Sequence, residues 1–241
     1  MISRLTMITV GLVAASIPPT VGLWSRYGRT AGLRFALGSS VTILAQQSLV
    51  RMAASRKRAR FTPVDAMTLS RGLPAAVLVG LVVSGVRHRT GLAGWLGWIS
   101  LLYGSIVCDW LDGPIARRLG MTSELGALLD LESDSWLTLA SASSATAWGG
   151  LPAFCMAAPL ARYALLMAAL RRIPYDRVYA DEPAWARPFG IAQMALFTAA
   201  TAPFGGAGTR AVVRLATPIV APMQLLGMFL LYRRSQRRFA T

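Results

Sequence analysis

Apolar residues along this chain come in long blocks, separated by short polar segments rich in arginine. Six blocks approach the roughly 20 residues that a helix needs to cross a bilayer core. They run over Ala66–Val86, Gly94–Ile115, Gly126–Trp148, Pro152–Leu170, Phe189–Phe204 and Val212–Tyr232. The pattern predicts an all-α polytopic membrane protein with six core transmembrane helices. The second and third blocks are unusual in carrying carboxylates, and the fifth is short, with its end blurred by Pro203. Residues 1–60 read as an N-terminal extension of one or two membrane or interfacial helices, ahead of a six-helix domain over 61–241. Within the extension, Leu5–Trp24 is broken by Pro18 and Pro19, and Leu33–Ala54 is weakened by Ser39, Ser40, Thr42, Gln46 and Gln47. The stretch ending Arg56-Lys57-Arg58-Ala59-Arg60 suits an interfacial amphipathic helix equally well. Extra membrane anchoring is the role expected of it.

Composition strengthens this picture. Of 241 residues, 54% are hydrophobic and 15% charged, against about a quarter charged in a soluble domain; the mean hydropathy is +0.50. A soluble globular protein is excluded, and so is a disordered one. The net charge of +15 would suit nucleic acid, but the cations sit in clusters between apolar runs, the pattern of cytoplasmic loops and anionic lipid contact. No nucleic-acid partner is expected. Alternate sides hold fifteen cations against three. The fifteen fall at 51–60, 117–118, 171–187 and 233–238, and the three are Arg87, Arg89 and Arg210. This bias favours six spans with both ends cytoplasmic, so the C-terminus and the carboxylate-bearing ends would face the cytoplasm. Cys108 and Cys155 lie in apolar runs and read as buried hydrophobes, not as a disulfide or thiolate metal site. His88 is the sole histidine, which excludes histidine-centred triads. Trp95, Trp98, Trp136, Trp148 and Trp185 suit interfacial anchoring, and the methionines suit a membrane core. No signal-peptide cleavage site, internal repeat or low-complexity linker stands out.

Six of the ten carboxylates fall between Asp109 and Asp134. An ionised carboxylate near a bilayer is costly and marks a functional site by default. At about 100° per residue, Asp109, Asp112, Gly113, Ala116 and Arg117 share roughly 140° of one helix. Gly126, Asp130 and Asp134 recur at i, i+4 and i+8 on the next. A short connection over 118–125 would make the two spans antiparallel neighbours, letting four aspartates converge. Such an oxygen-only set suits Mg²⁺, Mn²⁺ or Ca²⁺, able to clamp a pyrophosphate. The small residues would admit a phosphate to the backbone, and Arg117 is a natural phosphate partner. The competing view, acids paired with Arg117 and Arg118 at a solvated helix end, explains one or two carboxylates better than four.

The series Asp109-x-x-Asp112-Gly113-x-x-Ala116-Arg117, eight residues, then Gly126-x-x-x-Asp130-x-x-x-Asp134 resembles the signature of the CDP-alcohol phosphotransferase family. All eight fixed positions are occupied at the family spacing. The resemblance implies an enzyme of phospholipid biosynthesis that moves a substituted phosphate from a CDP-linked donor, commonly CDP-diacylglycerol, to an alcohol or alcohol-phosphate acceptor, with release of CMP. It implies that Asp109, Asp112, Asp130 and Asp134 ligate two divalent cations, Mg²⁺ or Mn²⁺, and that Asp134 is also the general base. Gly113, Ala116 and Arg117 would belong to the CMP site, with Gly126 as the small residue opposite. Pro114 removes a backbone bond to the Trp110 carbonyl, and a kink serving the nucleotide pocket is expected there. The implied setting is an integral protein of a bacterial plasma membrane among its lipids, as a homodimer.

The segment Thr62-Pro-Val-Asp65-Ala-Met-Thr68-Leu-Ser-Arg71 looks like the entry segment of the family, where an Asn often stands in place of Asp65. Asp65 and Thr68 line the nucleotide side on this reading, while a helix N-cap role fits Asp65 equally well. Arg71 either reaches phosphate or snorkels to the interface. Candidates for acceptor binding are Arg162, Arg187 and Arg214, within or at the ends of later blocks. Arg187-x-x-Gly190-x-x-Gln193 partly resembles the Lys-rich segment of phosphatidylglycerophosphate synthases but departs from it at Phe189 and Gly190. Two other readings compete. An intramembrane prenyltransferase needs two Asp-rich motifs on separate spans, and one cluster is found. An ion-coupled or non-catalytic membrane protein would show two related halves with broken spans.

Overall fold

A computed structural model of the chain describes residues 2–56, 62–86, 91–122, 124–170, 186–202 and 206–237; at some helical positions, Asp109 and Arg187 among them, it describes the backbone alone. Among the described residues regular structure is entirely helical. The helices are α1 (Ile2–Ala15), α2 (Ile17–Tyr27), α3 (Arg29–Arg56), α4 (Pro63–Ser70), α5 (Gly72–Ser84), α6 (Gly91–Arg118) and α7 (Glu124–Ala147). A 3-10 turn (Ala153–Met156) follows, then α8 (Ala157–Leu170), α9 (Ala186–Thr201) and α10 (Ala207–Arg237). The chain forms two compact units, residues 1–140 and 141–241, whose boundary falls within α7.

Local chemistry sets the breaks. Pro18 and Pro19 lie in the first turn of α2, where a missing N–H would have had no helical partner anyway. They begin a helix there rather than end one. Pro74 offers no N–H to the Ser70 carbonyl, so the helix that starts at Pro63 is interrupted at Arg71 and resumes as α5. Pro114, in contrast, sits inside α6, which remains helical to Arg118. A Schellman motif closes α6. The Met121 N–H donates to the Ala116 carbonyl (2.8 Å), the Gly120 N–H donates to Arg117 (3.3 Å), and Gly120 takes φ +62°.

In the first unit α3 packs along α5, with α1 and α2 against α3. Glycines permit the close approach. A Cβ on Gly80 would stand 2.9 Å from the Phe35 ring, and one on Gly38 3.0 Å from Val83. Leu12, Ile43 and Ala76 form one apolar cluster, and Val50, Leu69 and Leu129 form another that joins α3, α4 and α7. In the second unit Ala142, Ala145, Leu151, Cys155, Phe197 and Val213 form the core.

The sides of the helices are sorted as for lipid. Leu33, Leu37, Val41 and Leu44 form an exposed stripe on α3, whereas Ser39, Thr42, Gln46 and Gln47 on the same helix are buried. A water-soluble protein rarely makes that inversion. Among the described residues two stretches are long and apolar enough to cross a membrane, Thr6–Tyr27 and Pro63–Ser84, 22 residues each. Every one of the six apolar blocks is helical over most of its described length, but only the first reaches that measure among the described residues. α6 and α7 carry the acidic residues, and α9, with 16 residues, spans about 24 Å, short of a core about 30 Å thick.

Candidate active site

The site grows from α4. Thr62 opens that helix with a capping box: its hydroxyl accepts the Asp65 N–H (3.2 Å), and the Asp65 carboxylate accepts the Thr62 N–H (2.6 Å). The two bonds satisfy donors that would otherwise be orphaned at a helix start. The N-cap residue is thus Thr62, and Asp65, buried, is the acid of the box rather than the cap itself. Fixing the first turn of α4 fixes where Thr68 and Arg71 point.

Thr68 reaches α6: its hydroxyl donates to Asp112 Oδ2 at 2.9 Å, and Asp112 is 6% exposed. Its carbonyl accepts from the Ser133 hydroxyl of α7 (3.2 Å). One turn on, Arg71 reaches the same helix. Its Nη1 donates to Asp134 Oδ1 at 3.3 Å, and its Nη2 to Asp130 Oδ1 and, at 3.5 Å, to the Asp130 carbonyl. Arg71 is 4% exposed, while the Asp130 and Asp134 side chains are 46% and 54% exposed. A buried cation thus holds two acids that are themselves about half-exposed. The i, i+4 spacing on α7 makes this possible, since it puts both carboxylates on one face. Glu132 falls on the other side of α7 and is buried.

The sequence-predicted residues therefore divide. Asp112, Asp130, Asp134, Thr68 and Arg71 come together around α4. Asp109 lies on α6, with its side chain outside the described atoms. Among the described residues no three His, Cys, Asp or Glu side chains lie close enough to hold a metal ion; Asp112 bonds the Thr68 hydroxyl, and Asp130 and Asp134 pair with Arg71. Arg71 neither snorkels nor stands ready for phosphate; it is a buried counter-ion. Among the described contacts, α4 touches both aspartate-bearing helices, α6 through Thr68 and α7 through Thr68 and Arg71.

On the CMP side of the motif, Ala116 is buried and Arg117 exposed. Arg117 folds back along α6 so that its Nη1 is 3.4 Å from where a Cβ on Gly113 would be. Gly126 is half-buried in the first turns of α7. The acceptor candidates belong to the second unit: Arg162 is half-buried on α8, Arg214 is exposed on α10, and the Arg187 side chain lies outside the described atoms. Sequence reasoning missed the pairing of Arg71 with Asp130 and Asp134, and also the Ser133 strut. The available signal was a cation inside an apolar block, which must find an anion nearby.

Carboxylates and one hydroxyl make a hard-oxygen donor set, whose chemistry fits Mg²⁺ or Mn²⁺. A family model described as CDP-alcohol phosphatidyltransferase matches residues 61–229, a stretch holding Asp65, Thr68, Arg71 and every signature position. Neither a curated protein nor a solved structure matches the chain.

Proposed function

Because the chain belongs to the CDP-alcohol phosphatidyltransferase family, we propose that it transfers a phosphatidyl group from CDP-diacylglycerol, or a related CDP-lipid, to a small alcohol or alcohol phosphate, releasing CMP. Members are membrane-integral transferases that act on a CDP-alcohol and an alcohol acceptor and depend on divalent cations. The observation that carries the finer reading is the assembly on α4, where Thr68 and Arg71 hold three signature aspartates from α6 and α7 in one neighbourhood.

Asp109, Asp112, Asp130 and Asp134 are the residues that would hold two divalent cations, Mg²⁺ or Mn²⁺. Bound there, the cations supply charge neutralisation for the donor pyrophosphate. Asp134 takes the proton from the acceptor hydroxyl. The acceptor oxygen forms the new bond to phosphorus, the bond from that phosphorus to the CMP oxygen breaks, and CMP leaves with the electron pair. Asp134 suits the task because Arg71 holds one of its oxygens while about half of the side chain is exposed, and a general base must sit within hydrogen-bond reach of its proton. Arg117, beside Gly113 and Ala116, contacts the nucleotide phosphate. Thr68 orients Asp112, and Asp65 secures the helix that carries Thr68.

On this reading residues 61–241 are the catalytic six-helix domain, with the site and the C-terminus cytoplasmic, in a bacterial plasma membrane and as a homodimer. The test is CMP release by detergent-purified protein with CDP-diacylglycerol and Mg²⁺ or Mn²⁺. The acceptor panel is glycerol 3-phosphate, inositol, inositol 1-phosphate, serine and phosphatidylglycerol. Acceptor-dependent release that Asp134→Asn abolishes is expected. Cation-dependent donor binding without release for any acceptor would move the reading to a non-catalytic cation binder.

A further inference from the structure

The mechanism gives Arg71 no chemical step, yet it is the most deeply buried cation of the site. We propose that Arg71 acts as a stand-in for a divalent cation: it neutralises Asp130 and Asp134 while the site is unloaded and opposes cation loading until an anionic donor arrives. This rests on the transferase reading above, but it concerns this chain's own ion pair and is tested separately.

Three observations carry it. First, Nη1 and Nη2 each hold one carboxylate, so one guanidinium spans the two acids that a cation would otherwise bridge. Arginine stays charged at any working pH. Without it, two acids one turn apart on α7 would repel each other inside a membrane protein. Second, Arg71 is 4% exposed and rooted at the junction of α4 and α5, where its N–H donates to the Thr68 carbonyl at 3.2 Å. It has little room to withdraw into water when a cation loads. Its charge stays near the incoming ion, and like charges at close range repel. Third, the Asp130 and Asp134 side chains are about half-exposed while paired with Arg71, so a cation can approach from the exposed side without the guanidinium first leaving. Loading from that side sets +2 against +1 across the same carboxylates. The pyrophosphate of the donor relieves that conflict, because it brings negative charge to the shared space. Cation and donor should then bind with positive coupling, part of which passes through Arg71.

The experiment measures Mn²⁺ binding to the full-length protein in detergent, from the free-ion electron paramagnetic resonance signal, for wild type, Arg71→Gln and Arg71→Lys. Each is titrated with and without CDP-diacylglycerol, and melting is followed in EDTA and in Mn²⁺. Without donor, Arg71→Gln should bind Mn²⁺ about tenfold tighter than wild type, a shift within the usual range of coupling between sites. Arg71→Lys should stay close to wild type. Donor should tighten Mn²⁺ binding less in Arg71→Gln than in wild type. Arg71→Gln should melt below wild type in EDTA and recover in Mn²⁺, because the ion replaces the lost charge.

A variant that folds only when Mn²⁺ is present throughout gives the same answer. A variant that folds under neither condition overturns the proposal, since the ion then cannot replace the guanidinium. So does Mn²⁺ binding that is unchanged or weaker in Arg71→Gln, the result expected if the residue merely positions the acids. The two readings fail separately. Tighter Mn²⁺ binding in the variant, with no CMP release by wild type for any acceptor, removes the transferase and keeps the exchange. CMP release by wild type with Mn²⁺ binding unimproved in the variant does the reverse.

Discussion

Thr68 serves two helices with one residue, its hydroxyl spent on Asp112 and its carbonyl on Ser133. Thr68→Val keeps the shape and removes the donor, leaving a buried carboxylate oxygen without that bond. The expected cost is about 1–3 kcal/mol of stability, read as a lower melting temperature in detergent, whereas Thr68→Ser should melt close to wild type. Arg71→Ala should cost about 1–3 kcal/mol in metal-free protein, less than for a fully buried pair because its partners are half-exposed. A melt in EDTA checks it. The aspartates themselves were legible in the sequence, since their spacing alone places them on one face of each helix. The partners of those aspartates were not. Which donor meets which carboxylate depends on where α4 lies against α6 and α7, and no periodicity within one helix encodes that. Asp65 shows the same limit at shorter range. Its residue type signals a helix start, but whether it caps or completes a box is decided by Thr62 three residues earlier.

At the scale of elements, the apolar blocks located the helices well because a block must be helical to satisfy its own backbone in lipid. Breaks were harder to read. Pro18 and Pro19 initiate α2, Pro74 divides α4 from α5, and Pro114 leaves α6 helical. In a first turn the missing N–H has no helical partner to lose, so residue type alone does not say whether a proline starts or interrupts a helix. Helix pairing turns on glycine. Gly80→Val would drive a side chain into the Phe35 ring and the Phe35 carbonyl, which lies 3.0 Å from the first added carbon. It should destabilise by about 1–3 kcal/mol through overpacking. Gly104, also within a helix, has nothing within 4 Å of an added Cβ. Gly104→Ala should therefore stabilise by about 0.5–1 kcal/mol through helix propensity alone. Thermal melts of the two variants side by side separate crowding from propensity. Opposite signs are expected.

For the molecule as a whole, charge and packing govern different properties. The fifteen-to-three bias in cations favours a cytoplasmic C-terminus, so a reporter fused after Thr241 should behave as cytoplasmic, and a periplasmic signal would overturn the proposed topology. The extension is where the sequence alone says least. Its apolar stretches suggested anchoring, because a single helix cannot reveal which neighbour its inner face will meet. Three helices stand in residues 2–56, and α3 packs along α5. Phe35 is fully buried beside Gly80, Ile43 joins Leu12 and Ala76, and Val50 lies behind Leu69 and Leu129. Leu69 is the neighbour of Thr68, and Leu129 the neighbour of Asp130, so the extension backs the two helices that present the site. In lipid such contacts act through close packing rather than removal from water, and a bilayer cannot restore them by filling the gap. Deleting residues 1–60 should therefore lower the melting temperature and weaken Mn²⁺ binding together, because α4 loses its support. A truncated protein that still reaches the membrane, melts within a few degrees of the full chain and releases CMP at its rate would confine the extension to anchoring.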